Sequence, residues 1–422
     1  MEPLRQYQLD GARALAEKKK HLLGDEPGLG KTRTALEAAK MIGARHIAVI
    51  CPAVVRPHWW RESAAMRAGV GMVESYNNVV TSEITRSIME KADLLIVDEF
   101  HLCKHQYSKR SKAVFGAQGI ARRVLANGGR VWGLSGTPMP RNPAELWPIL
   151  ACLWPQTLAN MGLTSFVAFL NRFCRYRVGM YGIKVYAPNN VPMLRQLLAK
   201  VMLRRHVRTV APDLPALRWG ILPIEAPSVA DILLAEADLD PMTRAALEAG
   251  ELPPMSPVLA KYRHQVGDLK ARVAAELIRD ELNAEPETHK KVIFAYHRSV
   301  LDYLEAELGK DFGLARIDGS TPAIRRELQR RRFEEVPYCR VFLGQIEACS
   351  VGMDGLQHVA HDGIMIEPDW KTDFNVQAAH RLSRLGQSYP VQMRMLALAN
   401  TLDDAIIRNH TREVEMTAMV TG

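Results

Sequence analysis

Short apolar runs that end in polar residues recur along this chain. Ile47–Cys51 runs into Pro52, Leu94–Val97 into Asp98-Glu99, and Val131–Leu134 into Ser135-Gly136-Thr137. Each is strand-length, and helical segments separate them, including one predicted from about Thr32 to Lys40. In a parallel α/β sheet, ligands gather outside the carboxyl ends of the strands, so all three runs would aim their terminal residues at one edge. A largely helical stretch follows over about 144–207, rich in Leu, Phe and Arg. Pro212, Pro215, Pro223 and Pro227 then break the pattern, as a crossing between domains would. A second helical stretch includes Lys270–Leu282. Another α/β pattern begins at Val292-Ile293-Phe294-Ala295 and continues through Val341–Leu343 and Gly363–Ile366. The expected fold class is α/β: two lobes with parallel sheets and helical insertions. The first lobe spans 1–224 with its insertion at about 144–207, and the second spans 225–422 with its insertion at about 228–288.

Composition narrows the function classes. A length of 422 residues suggests about two or three domains. The 47% hydrophobic and 24% charged content is ordinary for a globular protein. The apolar runs are too short and too broken by charge to span a membrane, and Met1-Glu2-Pro3-Leu4-Arg5 carries no apolar signal region. The six cysteines are scattered without a C-x-x-C pair, which fits reduced thiols and a cytoplasmic location. A net charge of +9 favours an anionic partner where the basic residues lie near catalytic machinery.

The candidate chemistry starts at Asp25-Glu26-Pro27-Gly28-Leu29-Gly30-Lys31-Thr32. Gly30-Lys31-Thr32 fit the end of the phosphate-loop pattern, but Asp25 stands where the first glycine is usual, and Gly28 is an additional glycine inside the loop. Small residues let backbone N–H groups curl around phosphate oxygens, and the following helix presents its positive N-terminus. Lys31 would meet the β- and γ-phosphates of ATP, and the Thr32 hydroxyl would hold Mg²⁺. The alternative is a glycine-rich turn ahead of a helix. At the end of its strand, Asp98 would hold Mg²⁺ through water, and Glu99 would orient and activate the attacking water. Taken alone, the same pair is a solvated turn.

His101, Cys103 and His105 lack a fourth ligand nearby and the H-E-x-x-H arrangement, so no metal site is expected there. His101 is expected to link the nucleotide site to neighbouring motifs, and Cys103 to be a packed thiol. Ser135-Gly136-Thr137-Pro138 reads as a turn or as an element that senses nucleotide state. Lys104, Lys109, Arg110 and Lys112 form a solvated face or a phosphate-contacting cluster. Far downstream, Arg381 and Arg384 stand three apart on an expected helix within 377–387, on one face. They would stabilise charge on a transferring phosphoryl group; the alternative is an exposed basic helix.

The order of these motifs resembles helicase superfamily two, specifically the Swi/Snf-type DNA translocases. Leu4-Arg5-Gln6-Tyr7-Gln8-Leu9-Asp10-Gly11 is similar to the family's adenine-reading segment, with Gln8 at the glutamine position. The family's phosphate loop also opens with Asp, as at Asp25; Pro27 departs from its usual methionine. Cys51-Pro52-Ala53, Trp59-Trp60-Arg61-Glu62 and Ser75-Tyr76 resemble the next motifs. Asp98-Glu99-Phe100-His101 is similar to the D-E-A-H box, with Phe100 replacing alanine. Leu134–Pro138, with Asn142 and Glu145-Leu146-Trp147, resembles the motif after it, and Met202-Leu203-Arg204-Arg205 and Asp213-Leu214-Pro215 the passage to the second lobe. Val292–His297 and Ile317–Thr321 look closest to the annealing-helicase branch. His380, Ser383 and the segment Ser350–Gly355 depart from the family pattern.

The resemblance implies two RecA-like lobes and a DNA-stimulated ATP hydrolase that moves on double-stranded or branched DNA. Gln8, Gly28, Gly30, Lys31, Thr32 and Asp98 would bind ATP and Mg²⁺, Thr32 and Asp98 holding the metal. Lys31, Glu99, Arg381 and Arg384 would be catalytic. A strand-separating DNA or RNA helicase and a nucleotide-dependent nucleic-acid clamp remain the alternatives. The compactness of such a motor suggests a bacterial or phage-infected cell as its setting.

Overall fold

The computed structural model describes residues 3–179, 182–225, 236–249, 251–349 and 353–421. Pro227, the start of the expected second insertion and Ser350–Gly352 lie outside the described residues. The chain forms two compact units, Met1–Pro212 with Glu413–Gly422, and Asp213–Arg412.

The first unit is built on β1 (Lys20–Leu23), β2 (Ile47–Cys51), β3 (Val70–Ser75), β4 (Leu94–Asp98), β5 (Arg130–Leu134) and the short β8 (Met202–Leu203). These six strands form a parallel sheet ordered β3-β2-β4-β5-β1-β8. Both β2 and β4 are buried at all five positions. Continuous apolar strands of this kind need helices on both faces, and the sequence supplies them between the strands. The order has a functional consequence: β1 pairs with β5, and β5 with β4. The chain segments leaving those three strands therefore emerge side by side, although Leu23 and Asp98 are 75 positions apart.

The region expected to be a helical insertion is mixed. Helices Trp147–Leu153, Phe166–Phe173 and Val191–Val201 enclose an antiparallel hairpin, β6 (Cys174–Gly179) and β7 (Gly182–Pro188). The hairpin follows from composition: Tyr176, Val178, Ile183, Val185 and Tyr186 are β-branched or aromatic residues.

The second unit carries β9 (Leu217–Ile224), β10 (Lys291–Ala295), β11 (Leu314–Ile317), β12 (Val341–Gln345), β13 (Asp362–Met365) and β14 (Val391–Leu398). They form a parallel sheet ordered β11-β12-β10-β13-β14-β9. Strand β9 pairs with β14 along its whole length, so residues 217–224, assigned by sequence to the first lobe, lie in the second sheet. The proline-rich crossing hid a strand because Pro223 falls at its end, where a missing N–H is tolerated. A 28-residue helix, Pro257–Ala284, packs its Ala271, Ala274, Ala275, Ile278 and Leu282 onto this sheet's core. The fold class is the expected α/β, with two parallel sheets.

Candidate nucleotide site

The phosphate-loop segment leaves β1 and enters the helix Lys31–Met41. Gly28 and Gly30 hold φ of +87° and +74°, the left-handed conformation that glycine adopts without penalty. A Cβ on Gly30 would also collide with the Gln8 amide. Gln8 is buried against the loop: its Nε2 donates to the Leu29 carbonyl (3.2 Å), and its Oε1 accepts from the Arg5 N–H (2.9 Å). Tyr7 donates its hydroxyl to the same Leu29 carbonyl at 3.1 Å. The glutamine and the loop are thus one unit of structure.

Lys31 points into the curl, its Nζ donating to the carbonyls of Asp25 (2.9 Å) and Glu26 (3.2 Å). Burial lowers the pKa of this ammonium, while Glu99, Asp25 and Asp98 work in the opposite direction. Thr32 is the second residue of the same helix. Asp25 does not face the loop's interior. Its fully buried carboxylate is gripped at both oxygens by the Arg205 guanidinium, Nε to Oδ1 at 3.0 Å and Nη2 to Oδ2. Arg204 Nη1 donates to the Gly24 carbonyl (2.6 Å), and Glu26 accepts from the Val207 N–H (2.6 Å) while pairing with His206 Nδ1 at 2.8 Å. Glu26's pKa is lowered: burial pushes it up, but the Val207 N–H and His206 outweigh that. The departure from glycine at position 25 is therefore structural, because an acid there anchors the loop to the segment after β8. Arg204 and Arg205, which the sequence placed only in the passage between lobes, are site residues, and so is His206, which the sequence did not single out. The signal was the uncompensated acid at the loop's first position.

Asp98 and Glu99 stand where β4 ends. Trp59, wholly buried, donates Nε1 to Asp98 Oδ2 (2.8 Å), the Glu99 N–H donates to Oδ1 (3.1 Å), and Tyr76 donates its hydroxyl to the Asp98 carbonyl (2.7 Å). Burial first, then the neighbouring Glu99, raises the Asp98 pKa to about 7. A buried acid of this kind gains from a cation, which fits the metal role expected for it. Glu99 adopts φ +53°, a strained conformation for a non-glycine residue that turns it out of the strand direction.

Beyond it, the Ser135 hydroxyl lies 3.3 Å from Glu99 Oε2 and 2.8 Å from His101 Nδ1, which is itself 3.1 Å from Glu99. The Thr137 N–H donates to Ser135 Oγ at 3.1 Å. A Cβ on Gly136 would meet Pro27 at 2.8 Å and Lys31 Nζ at 3.2 Å, so the turn after β5 needs glycine to approach the loop. His101 thus connects Glu99 to Ser135, as expected, and Cys103 is buried with burial pushing its thiol pKa up. Among the basic residues after it, Lys104 faces Glu145 at 3.7 Å and Arg110 lies over the Tyr76 ring at 5.2 Å. Lys104 is thereby partly buried, while Arg110 stays exposed.

Within this unit the fold brings together Gln8, Gly28, Gly30, Lys31, Thr32, Asp98 and Glu99. Glycines that a side chain would displace, a lysine aimed into the curl and a high-pKa acid beside it suit a nucleoside triphosphate with a divalent cation.

Arg381 and Arg384 belong to the second unit, and there the expected helix is corrected. It spans only Thr372–Ala379. The N–H groups of Arg381 and Leu382 reach back three residues, to Ala378 and Ala379, so the coil tightens into turns. Gln387 holds these turns, donating Nε2 to the Ala360 (2.9 Å) and Leu382 (3.1 Å) carbonyls. The two arginines nonetheless converge: both Nη1 atoms donate to the Met353 carbonyl, at 2.8 and 3.0 Å, and Arg384 also pairs with Asp354 at 3.5 Å. Among the described residues, no group of three or more His, Cys, Asp or Glu could hold a metal ion on its own, and no helix is long and apolar enough to cross a membrane.

Residues 72–226 match the family described as SNF2-related domain. Over 96% of its length the chain is 27% identical to a SWI/SNF-related matrix-associated actin-dependent regulator of chromatin subfamily A-like protein 1 homolog of Caenorhabditis elegans. It is 28% identical over 94% of its length to the Xenopus tropicalis protein of that name, and 24% identical over 97% to the human DNA annealing helicase and endonuclease ZRANB3. The chain spans 60%, 43% and 40% of the lengths of these relatives, respectively. A solved structure, the Sulfolobus solfataricus SWI2/SNF2 ATPase core in complex with dsDNA, aligns over 100% of this chain and 94% of its own, at 17% identity and a TM-score of 0.42. Residues 72–226 thus resemble an SNF2-related domain, and along nearly its whole length the chain is similar to proteins named as SWI/SNF-related regulators and as DNA annealing helicases.

Proposed function

We propose that this chain is an ATP-dependent translocase on double-stranded or branched DNA. The observation that carries the reading is the convergence of the phosphate loop, the Asp98-Glu99 pair and the Ser135-Gly136-Thr137 turn at adjacent strand ends. Lys31 and the loop's backbone N–H groups would hold the triphosphate, with Gln8 reading the base. Thr32 and Asp98 would hold Mg²⁺. When bound, the metal ion would neutralise phosphate charge and orient the transferring group. Glu99 would take the proton of the attacking water, and Arg381 and Arg384 would stabilise the charge that develops on the phosphoryl oxygens. Their shared hold on one carbonyl supports the idea that they act as a pair.

The link from Glu99 through Ser135 and His101 gives hydrolysis a physical route to the turn after β5. We assign that route to coupling: the presence of nucleotide would alter the turn, and with it the grip on DNA. Phosphate contacts would carry most of the affinity, making binding salt-dependent and largely independent of sequence.

A triplex-displacement assay tests this. The protein should release a third strand from duplex DNA in the presence of ATP and leave the duplex closed, and Glu99→Gln should abolish the release. Opening of the duplex instead would favour a strand-separating helicase. Binding without release and without turnover would favour a nucleotide-dependent clamp.

A further inference from the structure

The 67 residues between Glu145 and Asp213 contain no Asp or Glu and nine Lys and Arg, as many as the net charge of the whole chain. Arg204 and Arg205 are committed to the phosphate loop. Arg175, Arg177 and Lys184 stand on the β6–β7 hairpin and are exposed.

The hairpin has two unlike faces. Residues directly opposite in an antiparallel pair share a face, and alternate residues along a strand point to opposite faces. Val178 pairs with Ile183 and Tyr176 with Val185, which makes one face apolar; Arg177 pairs with Lys184, which makes the other cationic. Ile183 and Val185 line a groove of about 570 Å³ whose opposite side includes Trp147, Phe166 and Leu170. The apolar face meets its own unit through Val185 and part of Ile183, while Val178, nearer the hairpin's tip, is exposed. Tyr186 shares the cationic face, and the Arg177 guanidinium lies 5.5 Å from its ring centroid, which supports the charge from below.

The hairpin is also firmly rooted. Phe173, the residue before β6, is buried and packs edge-on against Phe169 (4.9 Å), which contacts Trp147 (5.5 Å). At its base the Tyr176 hydroxyl donates to Asn171 at 2.6 Å. A ribbon anchored at its base, with cations on one face and in a stretch without acids, has the makings of a polyanion contact.

We propose that the Arg177 and Lys184 face of this ribbon, together with the exposed Arg175 at its base beyond a shift in the strand register, is a DNA-contacting surface that takes the sugar–phosphate backbone. The inference rests on the translocase reading and adds to it a surface that none of the catalytic motifs supplies.

The test is the salt dependence of duplex DNA binding, measured by fluorescence anisotropy on the whole chain for the wild type, for the triple variant Arg175→Ser/Arg177→Ser/Lys184→Ser, and for Arg175→Lys/Arg177→Lys. Losing three phosphate contacts should flatten the slope of log K against log salt by about 2 to 3 and weaken binding on the order of tenfold or more near 0.1 M salt. The lysine variant, which keeps the charge, should bind as the wild type does. Circular dichroism melts matching the wild type would show that the triple variant is folded. A wild type that binds duplex DNA with a triple variant of unchanged slope overturns the ribbon proposal alone, and capture of an acidic protein by the ribbon without that change does the same. A wild type that binds no duplex DNA overturns both readings.

Discussion

Asp25, which stands at the first position of the phosphate loop in place of the usual glycine, is fully buried and held at both oxygens by Arg205. Replacing Arg205 with methionine would leave a buried carboxylate without its partner, a change that costs about 3–5 kcal/mol. Arg205→Lys keeps the charge but loses the fork and should cost less. Urea unfolding of both variants checks the order, and ATP affinity should fall with stability because the loop is what Asp25 anchors. Glu99 makes the complementary prediction. Glu99→Gln should lower ATP turnover by about 10²–10⁴-fold and leave nucleotide binding intact, read by single-turnover hydrolysis and by a fluorescent nucleotide.

At the level of elements, the strands that carry chemistry were legible because their apolar runs are uninterrupted and end in polar residues. Ile47–Cys51 matches β2, and the runs at 94–97 and 131–134 fall within β4 and β5. What the sequence hid was tertiary. The pairing of β9 with β14 is a contact between residues more than 170 positions apart, and the turns beyond the helix Thr372–Ala379 are held by two Gln387 side-chain bonds that no local pattern reveals. The partners of Asp98 were equally hidden: Trp59 and Tyr76 could be marked as motif residues, but their hydrogen bonds depend on strand order. The helix Pro257–Ala284 depends on a buried ion pair, Lys270 to Asp403 at 2.6 Å, with Lys270 also donating to the Leu396 carbonyl at 2.8 Å. Lys270→Met should destabilise the second unit by about 3–5 kcal/mol, and removing Asp403 together with Lys270 should recover part of that loss. Urea denaturation of the single and double variants measures it.

For the molecule as a whole, pH is a sensitive probe. His410 is buried in the second unit beside Trp219, and burial lowers its pKa to about 4 from the usual 6.5. Between those values the unfolded chain binds the proton and the folded one does not, so this group's contribution to stability is complete above 6.5 and is lost as pH falls toward 4. His410→Phe should remove that dependence. Relative to the variant, the wild type should lose about 2 kcal/mol between pH 7 and pH 5, by chemical denaturation. The net charge of +9 announced an anionic partner but not where that partner would lie; only the fold gathers Arg177 and Lys184 onto one face. The central claim is that ATP turnover at the Lys31–Glu99 site answers to duplex DNA. The most direct measurement compares steady-state ATP hydrolysis with duplex DNA, with single-stranded DNA and with RNA at equal nucleotide concentration. The account predicts the strongest stimulation by duplex DNA, abolished in Lys31→Ala. Equal or greater stimulation by RNA or single strands would contradict it.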